Sequence, residues 1–90
     1  MAVEIHRPHT LGRAKTRQMV EAIAASLEEK LKLRHAWQGD RLVFRRTGLD
    51  GHIDVEDHAV HVYVRKGRLL PVSEGWIRQQ VEAVMDEYLG

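Results

Sequence analysis

The chain has no cysteine, only two prolines, and a single Phe beside two Trp and two Tyr in ninety residues. Without cysteine there is no disulfide framework, no thiolate metal site and no cysteine nucleophile. That fits a reducing cytoplasm, the expected location. So few aromatics leave little with which to stack a run of bases. No apolar run approaches the ~20 residues of a membrane span, and the opening Met1–Arg7 lacks the greasy centre of a signal peptide. Neither a membrane span nor export is therefore expected. Nor does one sign of charge dominate: 14 Lys and Arg face 13 Asp and Glu, for a net charge of +1. That balance lacks the field of a dedicated nucleic-acid binder, so a nucleic-acid partner is disfavoured. No glycine-rich phosphate loop occurs, and Gly48 and Gly51 read as turn glycines.

What is present is alternation. Ile53 and Val55 alternate with His52, Asp54 and Glu56, and Val60, Val62 and Val64 with His61, Tyr63 and Arg65. A period of two on both arms of a turn at Asp57-His58 predicts a hairpin with one apolar and one wet face. In that register Val55 faces Val60, Ile53 faces Val62, Asp54 faces His61 and His52 faces Tyr63. A second hairpin is predicted around Gly39-Asp40, with Trp37 opposite Leu42 and both inward. Thr47–Gly51 reads as the turn between the two. Val3 and Ile5 suggest a short first strand, ended by Pro8 and free to join either edge of this meander.

Two helical stripes supply a cover. Val20, Ile23, Leu27 and Leu31, with Met19 and Ala24 beside them, predict a helix over 11–32 with Thr10 as N-cap. Ile77, Val81, Val84 and Tyr88 predict a second helix capped by Ser73. Glu28 with Lys32 and Glu74 with Arg78 have the i,i+4 spacing of weak ion pairs. The expected fold is α+β over a single domain, residues 1–90, with an antiparallel sheet in the order β-α-β-β-β-β-α and both helices on one face. A chain this short buries only ~60–65% of its unfolded surface, which makes a homodimer a candidate assembly.

The order and spacing of several segments resemble the polyhydroxyalkanoic acid system family. These are Ile5-His6-Arg7-Pro8-His9-Thr10-Leu11-Gly12, Trp37-Gln38-Gly39-Asp40, Phe44-Arg45-Arg46-Thr47-Gly48, Gly51-His52-Ile53-Asp54-Val55, and the Leu69-Leu70-Pro71 exit before the last helix. The resemblance spans nearly the whole chain. It implies a bacterial, cytoplasmic protein with an accessory role near polyhydroxyalkanoate metabolism or granules. It brings no catalytic residues and no cofactor.

Read for chemistry, the sequence offers three candidate surfaces. His52, Asp54 and His61 share the wet sheet face at distances that could hold zinc, although a solvated polar face is the ordinary reading of such spacing. Arg13, Lys15 and Arg17, and then Arg41, Arg45 and Arg46, are basic clusters more simply read as solvating charge. Trp76, Tyr88 and Tyr63 are candidates for a leftover apolar interface to a protein partner or a polyester granule surface. Ser26 and Ser73 have no visible base, and no paired carboxylates sit in an evident pocket, so no enzyme is expected. The leading expectation is a non-catalytic accessory or interaction protein. The alternative is a small module of helix-grip type binding an apolar small molecule between sheet and helix.

Overall fold

A computed structural model describes residues 2–89. The elements follow in the order β1 (Ala2–Pro8), α1 (Arg13–Leu31), β2 (Arg34–Gln38), β3 (Arg41–Arg46), β4 (Leu49–Val55), β5 (Ala59–Lys66) and α2 (Glu74–Leu89). The strands form one antiparallel sheet in the order β1-β5-β4-β3-β2. The α+β class and the element order read from the sequence are therefore those of the structure. The first strand takes the β5 edge, with Val3 against Val64 and Ile5 against Val62. The chain then crosses the sheet as α1 and re-enters at the opposite edge as β2. At ~1.5 Å per residue the 19-residue α1 is about 28 Å long, enough to span five strands set ~4.8 Å apart.

Both predicted hairpins have the expected register: Trp37 pairs with Leu42, Val55 with Val60, Ile53 with Val62, Asp54 with His61 and His52 with Tyr63. The central inward column, Trp37, Leu42, Ile53, Val62 and Ile5, is apolar. Leu42, Ile53, Val60 and Val62 are completely buried against Val20, Ile23, Leu27, Ile77, Val81, Val84 and Met85 of the helices. Burying each such side chain contributes ~1.5–3 kcal/mol before conformational entropy is subtracted. Arg7, at the inward edge of β1, reaches across to Asp86 of α2 at 2.8 Å.

Four local expectations are corrected. The helix expected over 11–32 runs from Arg13 to Leu31, and its N-cap is Gly12 at φ 78, with no side-chain cap from Thr10. The four residues after Pro8 are spent turning the chain off the sheet edge, anchored where the His9 N–H donates to the His58 carbonyl at 2.9 Å. The turn expected over Thr47–Gly51 is only Thr47-Gly48. Gly48, at φ 82, supplies the left-handed residue, so β4 already begins at Leu49. Gly51 is therefore a strand residue opposite Phe44, not a turn residue. Finally, the two expected i,i+4 pairs do not form. Glu28 turns to His35, while Arg78 approaches Glu82 at 3.6 Å and donates to the Glu4 carbonyl. Ser73 does cap α2: its Oγ accepts the Trp76 N–H at 3.0 Å.

Candidate functional site

The helices cover one side of the sheet and leave the other open, so the register alone lays out the open face. Three rows of side chains cross it. The first is Arg34, Arg45, Asp50, Arg65 and Ala2; the second is Ala36, Val43, His52, Tyr63 and Glu4; the third is Gln38, Arg41, Asp54, His61 and His6. The middle row carries a stacked pair. The His52 and Tyr63 ring centroids lie 5.3 Å apart with an interplanar angle of 22°. That separation is close to the ~4.8 Å between strands, so the rings stand on the sheet side by side like facing pages. Around them lies a hollow of about 430 Å³, bounded by Gln38, Arg41, Val43, Arg45, His52 and Arg65 among others.

The proposed metal ligands meet on this face but are otherwise engaged. Arg41 holds Asp54 through two hydrogen bonds, Nε to Oδ1 at 2.6 Å and Nη2 to Oδ2 at 3.1 Å. His52 Nε2 stands 3.6 Å from the same carboxylate, and His61 Nε2 lies 4.0 Å from Glu4 instead. Among the described residues no group of three His, Cys, Asp or Glu is arranged to hold a metal ion. Burial pushes the His52 pKa below its usual 6.5, and the Arg41 charge adds to that fall against the opposing pull of Asp54. That fall favours the neutral ring.

The basic clusters divide. Arg13 and Arg17 are taken up inside the fold. Arg13 binds Asp40 and Asp57, and Arg17 binds Asp40 while its guanidinium lies 4.2 Å over the Trp37 ring. Arg46 donates to the Leu31 carbonyl at 2.9 Å, closing the last turn of α1. On the open face Arg41 and Arg65 have acidic partners. Arg34 and Arg45, directly opposed across β2 and β3, make no ion pair among the described residues.

The candidate interface aromatics do not share one patch. Tyr63 stands on the open sheet face. Tyr88 packs, half-buried, against the core near the end of α2, about 18 Å along the helix from Trp76. Of the three, Trp76 is the one that is both exposed and beside an apolar crevice. It is 40% exposed, and Leu69 on the loop before α2 is 87% exposed. Leu70 and Val72 pack beside Trp76 around an apolar crevice of about 90 Å³, whose rim carries Lys30 and Arg46. Arg68 adjoins Leu69 in the same loop.

Compared with known families, residues 3–89 match the model described as "Putative polyhydroxyalkanoic acid system protein (PHA_gran_rgn)". The chain belongs to that family. The match runs from β1 through α2 and so covers both the open face and the apolar tip. No curated protein and no solved structure matches the chain. Membership links the chain to the polyhydroxyalkanoate system. No described helix is long and apolar enough to cross a membrane.

Sequence reasoning missed one further polar device. His9 and Thr16 are both buried, and the His9 ring sits between the start of α1 and the β4–β5 turn. His9 Nε2 donates to the Glu56 carbonyl at 3.0 Å, which leaves Nδ1 to accept from the Leu11 N–H at 3.3 Å and the Thr16 hydroxyl at 3.2 Å. A hydroxyl on an imidazole is the pairing of a nucleophile and its base. Here Thr16 has no exposure at all, so the pair ties elements together rather than meeting a substrate. The Ser73-to-Trp76 spacing was legible; the contact between His9 and Glu56, 47 residues apart, left no local signal.

Proposed function

We propose that this chain is a non-catalytic accessory protein of the polyhydroxyalkanoate system, which seats on the polyester granule surface through the apolar tip at Leu69–Trp76. The observation that supports this reading most is Leu69, 87% exposed on the loop whose Leu70 and Val72 line an apolar crevice, with Trp76, 40% exposed, beside that crevice. An apolar patch held out by a well-packed domain marks a contact surface. The polymer presents alkyl groups, ester carbonyls that accept hydrogen bonds, and carboxylate chain ends. Leu69, Leu70 and Val72 match the first, and Lys30 and Arg46 at the rim, with Arg68 next to Leu69 in the chain, match the other two. Trp76 suits a boundary between greasy and wet surroundings. This surface use fits an intracellular site of action beside stored polymer.

The non-catalytic part of this reading is supported by how several reactive groups are spent. Ser73 is a helix cap, Thr16 and His9 are buried, and His35 lies between two glutamates. The alternative of an enclosed apolar ligand is less well supported. The ~90 Å³ crevice falls below the ~300 Å³ at which small-molecule pockets begin.

Co-sedimentation with purified polyhydroxyalkanoate particles tests the docking reading. The chain is expected in the pellet, and Leu69→Asp/Trp76→Asp in the supernatant with unchanged thermal unfolding. Each lost anchor, worth ~1.5–3 kcal/mol, weakens binding at least about tenfold. A native chain that stays in the supernatant, or a variant that still pellets, overturns it.

A further inference from the structure

A separate observation concerns the open sheet face and does not depend on the polyester reading. Arg34 and Arg45 are direct cross-strand partners on that face, and neither has an acidic partner among the described residues. Like charges so placed repel, with Cβ atoms ~5 Å apart. An anion between them would remove that repulsion, and two guanidinium groups suit phosphate oxygens. One row further along the same strands come Ala36 and Val43, the shortest side chains of the middle row. Beside Val43 stands the His52 ring, stacked on Tyr63 by one face, with its other face towards β3. The result is a trench floored by Val43, with Ala36 next to it on β2, and walled on one side by an aromatic pair. Arginines close both its ends: Arg34 and Arg45 at one, Arg41 beside Gln38 at the other. The hollow of about 430 Å³ takes in Gln38, Arg41, Val43, Arg45 and His52 and extends over β4 and β5 to Asp50 and Arg65, with Arg34 and Ala36 beside it on β2; it is of the size that holds a small ligand.

We propose that this trench binds a nucleoside phosphate, with the base over Val43 against His52 and the phosphate between Arg34 and Arg45. Three features select that class. The wall is flat, and its His52 favours the neutral form, so it offers a stacking surface. The unpaired positive charge sits at one end of the trench, since Asp54 occupies Arg41 at the other and Asp50, across from Arg45, is held by Arg65 at 3.0 Å. Gln38, at that far end, has an amide that can both donate to and accept from a base edge. A continuous nucleic-acid strand fits less well. Asp50 and Asp54 flank His52 on β4 and would meet the next phosphates with like charge.

Titration calorimetry of the full chain with adenosine 5′-monophosphate tests the site, with adenosine, inorganic phosphate and a short single-stranded oligonucleotide as separate arms. The nucleotide is expected to bind saturably and more tightly than adenosine or phosphate alone. Arg45→Ala and Val43→Glu are each expected to weaken it roughly tenfold or more. Amide NMR shifts should centre on Val43, His52 and Tyr63, leaving Leu69 to Trp76 unmoved. No saturable nucleotide binding by the folded chain overturns the proposal. So does phosphate binding as tightly as the nucleotide, nucleotide binding unchanged in both variants, or an oligonucleotide preferred over the mononucleotide.

Discussion

Gly51 leaves no room for a methyl group. A Cβ there would lie 2.1 Å from the Tyr63 carbonyl oxygen and 2.8 Å from Cζ of Phe44, whose ring fills the place of the missing side chain. Because the nearer obstacle is backbone, it cannot swing aside. Gly51→Ala should destabilise the domain by about 1–3 kcal/mol, read as a lowered urea midpoint at unchanged slope. A second single-residue effect concerns acidity. Burial of His35 works against its charge, but hydrogen bonds and attraction from Glu21 and Glu28 outweigh it, and its pKa rises above 6.5. A raised histidine pKa stabilises the fold fully below the unfolded value and loses that contribution as pH climbs through the raised one. Thermal midpoints should therefore fall as pH rises from just below 6.5, and His35→Gln should flatten that fall. An equally steep fall in the variant would place the effect elsewhere. Neither residue's role could be read from the sequence. Gly51 lies among turn formers, and only the position of the Phe44 ring distinguishes a strand glycine there. His35 sits 14 residues from Glu21, and only the return of β2 beneath α1 brings them together.

At the scale of elements the pattern was far more legible, because burial follows the periods of two and 3.6 that the chain displays. The alternating valines of β5 and the stripe of α1 are buried as their spacing requires. What escaped were the ends. Thr10 looked like a cap, yet the turn after Pro8 consumes it, and Gly12 starts the helix instead. Met85 joined the core although the α2 stripe was read through Tyr88; it is fully buried, and Tyr88 only half. The sheet's dependence on its inward column leads to a firm expectation. Val62 has no exposure and pairs with both Ile5 and Ile53. Val62→Asp places an unpaired carboxylate in that column and should abolish cooperative unfolding by circular dichroism. A soluble variant that still melts cooperatively would mean that the column tolerates water.

For the whole molecule, local pattern could not decide where β1 belongs, since either edge of the meander offers free backbone groups. The structure sets it on β5, so the first and last strands are neighbours and α1 must traverse the sheet. That crossing seals the helix side and leaves the two proposed surfaces on different parts of the domain. One is a charged trench on the open face, the other an apolar tip at the loop before α2. The family match was legible in the spacing of short segments along the chain. The tip was only half legible, since Trp76 stood out as a leftover aromatic but Leu69 becomes prominent only once it is seen to stand out of its loop while Leu70 and Val72 turn in.

The docking of the tip on polymer is the claim on which the functional account turns, and tryptophan emission reports it directly. In a Trp37→Phe background, Trp76 is the one remaining tryptophan. On adding polyhydroxyalkanoate particles its emission should move to shorter wavelength and become shielded from a soluble quencher, with Leu69→Asp suppressing both changes. Emission and quenching that stay the same as in buffer, at particle concentrations in excess of the protein, would contradict it.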